Sequence, residues 1–174
     1  LSAANAGPDD EICEDSSCGL TGQAQNYSSV LWESSGSGTF NDNSILNPVY
    51  TPSEADILAG SVTLTLTAQS VSPCNSSASD EMILIIQQSA SASAGPDDEI
   101  CANAVCFQNG QAEYYSSILW TSSGTGTFND NDILNPVYTP GEADILSGSV
   151  TLTLTVQSVS PCDVYASDEM ILSI

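Results

Sequence analysis

Fifteen residues, Gly38-Thr-Phe-Asn-Asp-Asn-Ser-Ile-Leu-Asn-Pro-Val-Tyr-Thr-Pro52, return at Gly126 to Pro140 with one change, Ser44 becoming Asp132. The offset is constant at 88, from Cys13 to Cys101, Trp32 to Trp120 and Cys74 to Cys162. Of the 81 positions from Ala6 to Ile86, 61 are identical 88 residues on, with no insertion or deletion. The folding unit is therefore the repeat, and the expected domains are residues 1–88 and 89–174. Such a period exceeds that of helical or leucine-rich solenoids. It suits a small independent β-sandwich of roughly 100 residues. The first and last residues stand at equivalent points of the repeat, which leads to the expectation of a stretch cut from a longer array.

Charge then removes whole classes of function. The chain has 22 Asp and Glu and no Lys, Arg or His, a net charge of −22. There is no imidazole for general base work, no Lys for a Schiff base and no Arg to clamp a phosphate, so an enzyme is not expected. Nucleic acid and anionic membrane surfaces would be repelled. No stretch approaches the ~18 apolar residues of a membrane-spanning helix, and Leu1 opens no signal-peptide pattern. Two carboxylates about 6 Å apart in water repel by roughly 0.7 kcal/mol before screening. Such a chain is expected to work in salty or divalent-rich water.

Along each repeat, period-2 alternation marks the strands. Glu11-Ile-Cys13 reads as a short first strand and Cys18 to Gly22 as a weak second one. After a turn at Asn26-Tyr-Ser-Ser, Val30-Leu-Trp-Glu places Val30 and Trp32 on one face, with Trp32 as core anchor. Asn41-Asp-Asn43 is turn chemistry, and Val49-Tyr50 a short extended piece. Thr51-Pro-Ser-Glu54 reads as a capping box opening one helical turn that Gly60 closes. Ser61 to Val71 is the clearest strand, with Val62, Leu64, Leu66 and Ala68 inward and the threonines outward. In the last strand Ile85 is matched by Ser173, so Met82, Leu84 and Ile86 face the core.

The six cysteines fall three to a repeat: Cys13, Cys18, Cys74 and Cys101, Cys106, Cys162. Zinc would need a fourth ligand that no His supplies. A disulfide, and hence an oxidising compartment, is the better reading, with one thiol per repeat unexplained.

Taken together, Ala-Gly-Pro-Asp-Asp-Glu-Ile-Cys, Tyr-Ser-Ser-Val/Ile-Leu-Trp, Ser-Gly-Ser/Thr-Gly-Thr-Phe-Asn-Asp, Leu-Asn-Pro-Val-Tyr-Thr-Pro and Ser-Asp-Glu-Met-Ile-Leu carry a family likeness. The sequence resembles the SprB-type tandem repeats of giant cell-surface adhesins of gliding Bacteroidota, which are PKD-like and immunoglobulin-like. The resemblance covers both repeats almost end to end. It implies an all-β fold of two tandem immunoglobulin-like (PKD-like) β-sandwich domains, each with one short helical turn. It also implies a segment of an extracellular cell-surface filament, exported by the type IX route and serving adhesion or gliding motility. Its partners would be neighbouring repeats, other copies of the filament, and a surface or glycan target. The alternative is a carbohydrate- or other ligand-binding module appended to a secreted enzyme. The family pattern pairs Cys13 with Cys74 and, carried over, Cys101 with Cys162. A loop of about 60 residues closed by such a bridge would contribute roughly 4 kcal/mol, against about 2 for Cys13–Cys18. Cys18 departs from the pattern; its spacing to Trp32 makes Cys18–Cys74 the rival. Should the long bridges hold, Cys18 and Cys106 are either buried thiols or links between chains.

No cofactor is expected other than Ca²⁺, which prefers hard oxygen ligands. The candidates are the acids Asp9, Asp10, Asp42 and Asp56, with their copies Asp97, Asp98, Asp130 and Asp144. The expectation is a Ca²⁺ site at the domain joint that stiffens the array. Asn26-Tyr-Ser and Asn75-Ser-Ser are N-glycosylation sequons, although neither recurs in the second repeat.

Overall fold

The strongest alternation in each repeat becomes the central strand of its main sheet. The computed structural model describes residues 1–174, which divide into two units, Leu1–Gln88 and Ser89–Ile174. In the first unit the elements are β1 (Ala3–Asn5), β2 (Asp10–Cys13), β3 (Cys18–Gly19), β4 (Gln23–Gln25) and β5 (Tyr27–Ser34). They continue with β6 (Thr39–Phe40), β7 (Val49–Thr51), α1 (Glu54–Ala59), β8 (Ser61–Ser70) and β9 (Ser77–Gln87). A four-stranded sheet runs β2-β9-β8-β5, a three-stranded one β3-β7-β6, and β1 pairs β4. All pairs are antiparallel except β2 with β9, which is parallel and sets Cys13 beside Gln87.

The second unit repeats this plan. Its strands are β10 (Ser91–Ser93), β11 (Asp98–Glu99), β12 (Cys106–Phe107), β13 (Gln111–Glu113) and β14 (Tyr115–Ser122). After them come β15 (Thr127–Phe128), β16 (Val137–Thr139), α2 (Glu142–Ser147), β17 (Ser149–Ser158) and β18 (Tyr165–Ser173). The sheets are β11-β18-β17-β14, β12-β16-β15 and β10-β13. Each unit is an all-β immunoglobulin-like sandwich with one short helix.

The core lies between the sheets, as the alternation requires. In the first unit Val62, Leu64, Leu66 and Ala68 of β8 are buried, as are Met82, Leu84 and Ile86 of β9, while Ile85 is exposed. Trp32 and Tyr50 are fully buried. Phe40 links them, its ring centroid 6.4 Å from that of Trp32 and 4.9 Å from that of Tyr50. Trp32 Nε1 donates to the Leu46 carbonyl at 3.3 Å, satisfying the indole's one donor.

Several local expectations need correction. The weak second strand expected over Cys18 to Gly22 is confined to β3, and β4 is a separate strand beyond it. The turn before Trp32 is confined to Asn26, because β5 already begins at Tyr27, with a register shift between Tyr27 and Ser29. The helix cap lies two residues later than expected. Thr51 stays in β7, opposite Thr39. Ser53 is the N-cap, its Oγ accepting from Asp56 N at 3.2 Å while Asp56 Oδ2 accepts from Ser53 N at 3.0 Å. The N3 partner is therefore Asp56 and not Glu54. Gly60 closes the helix at φ 76°, a left-handed value that favours glycine.

Asn26 and its copy Tyr114 both take positive φ, 52° and 54°. Asn tolerates this region through its short polar side chain, whereas a bulky L-residue is disfavoured there by about 1–2 kcal/mol. Tyr114→Asn is accordingly expected to stabilise the second unit by about 1 kcal/mol. An unchanged or lower urea midpoint would contradict this account.

Candidate functional site

The recurring polar residues converge on one buried carboxylate in each unit. Asp56 is only 2% exposed although it is charged. Helix α1 points it under the β5–β6 loop, where four donors meet it. Its Oδ1 accepts from Ser37 N at 2.9 Å. Its Oδ2 accepts from Gly38 N at 2.8 Å, the Tyr50 hydroxyl at 2.8 Å and Ser53 N at 3.0 Å. Since the tyrosine hydroxyl donates to the carboxylate, Ser34 Oγ donates to the tyrosine oxygen, 2.8 Å away. The loop can approach because Gly36 and Gly38 carry no side chain; a Cβ on Gly38 would stand 2.6 Å from Asp56 Oδ2.

Asp144 repeats the arrangement with Thr125 N at 2.7 Å, Gly126 N at 2.9 Å, the Tyr138 hydroxyl at 2.7 Å and Gly141 N at 2.9 Å. Three of its four donors are backbone amides, so the site tolerates Ser37 becoming Thr125 and Ser53 becoming Gly141. Burial pushes both carboxyls up, but the amide and tyrosine hydrogen bonds outweigh it and hold each below the ordinary aspartate value. Burial raises the two tyrosines, which stay protonated and donate. The carboxylate is thus a clamp that fastens a loop to a helix N-terminus. Both of its oxygens are engaged in these bonds, one donor on Oδ1 and three on Oδ2.

Asp56 and Asp144, two of the expected calcium ligands, are thus placed as buried hydrogen-bond acceptors. The remaining acids also have backbone work. Asp9 Oδ1 accepts from Ile83 N and Asp97 Oδ1 from Ile171 N, both at 2.8 Å. Asp10 and Asp98 accept from Glu11 N and Glu99 N at 2.9 and 2.8 Å. Asp42 accepts from Ser44 N at 2.9 Å and Asp130 from Asp132 N at 3.1 Å. The Ser44 hydroxyl and amide hold Asp42 below its ordinary pKa. No three acidic, histidine or cysteine side chains gather into a cation site.

The cysteines are arranged otherwise than the resemblance implies. Cys74 and Cys101 are exposed free thiols, so neither Cys13–Cys74 nor Cys101–Cys162 is formed. Cys13 and Cys162 are disulfide-bonded. The reason is strand direction. Cys13 lies beside Gln87 at the end of β9, while Cys74 sits in the turn before Ser77 at its start. Eleven extended residues separate these ends by about 33 Å, whereas a disulfide requires Cα atoms within ~7 Å. In the second unit Cys101 follows Ile100, whose N–H donates to Ser173 at the end of β18, and Cys162 precedes the start of that strand.

Cys18 and Cys106 are buried free thiols, which decides against the Cys18–Cys74 rival. Cys18 Sγ stands 3.5 Å from Asp10 Oδ2, and Cys106 Sγ 3.7 Å from Asp98 Oδ2. Burial, reinforced by the Asp10 carboxylate, pushes the Cys18 thiol up to about 11. Burial and Asp98 raise Cys106 in the same way. Iodoacetamide at pH 8 is therefore expected to label Cys74 and Cys101 in the native protein and to reach Cys18 and Cys106 only after denaturation. Peptide mapping that found Cys18 labelled as fast as Cys74 would overturn the assignment.

The sequon residues Asn26 and Asn75 are both exposed, and the Asn26 side-chain amide donates to the Leu1 carbonyl at 3.3 Å. The exposed Tyr165 and Tyr115 do not share one face. Tyr165 lies opposite Gln157 of β17 and Tyr115 opposite Ser158, adjacent positions that face opposite sides of a strand. Reading the sequence alone missed Tyr50, Tyr138 and the glycine loop as partners of the aspartates. The recurrence of Gly-x-Gly ahead of Asp56 and Asp144 was the available signal.

No family model matches the chain, and no curated protein matches it. Solved structures with a similar fold exist. The extracellular cadherin domains 3–6 of protocadherin gamma B2 align over 100% of this chain and 47% of that one, with TM-score 0.56 and 9% identity. The protocadherin gamma B4 extracellular domain aligns over 99% and 34%, with TM-score 0.57 and 14% identity. Drosophila N-cadherin domains EC1–4 align over 97% and 47%, with TM-score 0.54 and 12% identity. This chain thus spans about half the length, or less, of these neighbours. At such identity the likeness establishes a tandem cadherin-like and immunoglobulin-like fold.

Proposed function

We propose that the chain is a structural and adhesive segment of a long extracellular surface filament, of the type used by gliding Bacteroidota. The observation that carries this reading is how the recurring polar residues are used. Asp56, Tyr50, Asp9 and Asp80, with their copies, are engaged in hydrogen bonds that hold each sandwich together. What repeats is a hydrogen-bonded mechanical unit, which supports a structural role. A surface bearing acids and no cations suits an exterior, ion-rich medium. That the fold neighbours are extracellular cadherin segments supports the same compartment.

Beads coated with the chain are expected to be retained on polysaccharide-coated glass more than beads coated with an unrelated protein of equal negative charge. Equal retention would sink the adhesive part of the reading. Calcium belongs to this proposal only through the acids outside the clamp. Melting the protein with and without EDTA tests it, and identical midpoints would remove the ion from the account.

A further inference from the structure

The two exposed thiols occupy opposite poles of their units. Cys74 lies in the β8–β9 turn of the first unit, and Cys101 at the pole of the second where β18 ends. Each has a counterpart 88 residues away in the other disulfide state: Cys162, at the Cys74 position, and Cys13, at the Cys101 position, are both disulfide-bonded. Both positions therefore support a disulfide in this fold, and strand direction denies either one a partner at the other within its own unit. The third cysteine of each unit is withdrawn from exchange by burial against Asp10 or Asp98.

We propose that Cys74 and Cys101 are the two halves of a head-to-tail disulfide, Cys101 of one copy of this chain bonding Cys74 of the next. The contact joins two different surfaces, so it leaves an unused Cys74 at one end and an unused Cys101 at the other. Such heterologous contacts propagate into open filaments rather than closed dimers. The chemistry is thiol–disulfide exchange with a small disulfide such as oxidised glutathione. The Cys101 thiolate attacks it, forms a mixed disulfide and releases one thiol. The Cys74 thiolate then displaces the second, so two protein thiols are oxidised as one small disulfide is reduced. A covalent joint also gives acidic copies that repel one another a bond that salt dilution cannot undo. The inference builds on the tandem-repeat reading, but its test scores a covalent bond and not adhesion, so either can fail alone.

The folded protein is incubated in a glutathione redox buffer and separated by non-reducing electrophoresis. The wild type should give a ladder of multimers that collapses on reduction. C74S alone and C101S alone should both stay monomeric. An equimolar mixture of the two should give a dimer and nothing larger, with a Cys74–Cys101 cross-linked peptide in its digest. Unchanged thermal melts of both variants would show that they fold. Wild type remaining monomeric, C101S or C74S dimerising with itself, or a ladder persisting in the C74S/C101S double variant would each overturn the proposal.

Discussion

Asp56→Asn is expected to cost the first unit about 3–5 kcal/mol, most of the stability of a small domain. Asn has nearly the same shape, but one carboxylate oxygen becomes an NH₂ group facing donors. Oδ2 accepts from Gly38, Tyr50 and Ser53, and Oδ1 from Ser37, so whichever way the amide turns, at least one buried donor loses its acceptor. The charge that strengthened all four bonds is lost as well. Tyr50→Phe removes one donor only and should cost about 1.5–3 kcal/mol. At roughly 4–8 °C per kcal/mol for a domain of this size, the Asn variant should lower the unit's melting point by more than about 12 °C. A fall of only one or two degrees would show that water replaces the lost contacts and that the clamp is not what holds the loop.

The same site sets the response to acid. Each clamp aspartate has a folded pKa below its unfolded value, so its contribution is present above the unfolded value of about 3.9 and is lost as pH falls through the folded pKa. Wild-type stability should therefore decline below about pH 4. The double variant Asp56→Asn with Asp144→Asn should start lower and show a flatter acid limb.

Gln108→Leu is expected to act in the opposite direction, stabilising the second unit by about 2–3 kcal/mol. Gln108 is only 5% exposed, and the Cys106 thiol is the one group its side-chain amide engages, with neither Nε2 nor Oε1 in a hydrogen bond of good geometry. The first unit holds Leu20 at this position, buried to a similar degree. A buried amide with only a weak thiol partner keeps much of the cost of its lost hydration, which an apolar side chain of similar size avoids. The internal repeat supplies the control, since Leu20→Gln should destabilise the first unit by a comparable amount. Differential calorimetry of the two variants resolves this. A Gln108→Leu protein no more stable than wild type would mean that the amide finds partners in solution.

Much of the fold was legible in the residues. Alternation from Val62 to Ala68, the outward Ile85 revealed by Ser173, the buried Trp32 and the closing Gly60 follow from periods and backbone preferences that span a few residues. The site was less legible. Asp56 drew attention as a recurring acid, but its partners Ser37 and Gly38 lie 18–19 residues away, and their approach depends on two strands and a turn between them. Placing the cap at Thr51 failed because that residue's pairing with Thr39 in the sheet outweighed a local motif. The cysteine pairing failed for a related reason. Loop-closure entropy favours a long bridge wherever it lies, but only geometry says whether the sulfurs meet.

The sequence by itself determined that the protein is a duplicated β module whose charged side chains are all acidic, which way its long strands face, and which basic side chains it lacks. Those properties are written in composition, in the 88-residue offset and in side-chain period. Only the tertiary structure decided that Asp56 and Asp144 are buried clamps and that Cys13 and Cys74 stand at opposite poles of the first unit. The physical reason is the parallel register of β2 on β9. It carries Cys13 to the far end of a strand about 33 Å long, away from Cys74, and strand direction is a property of the whole sheet that no local stretch encodes.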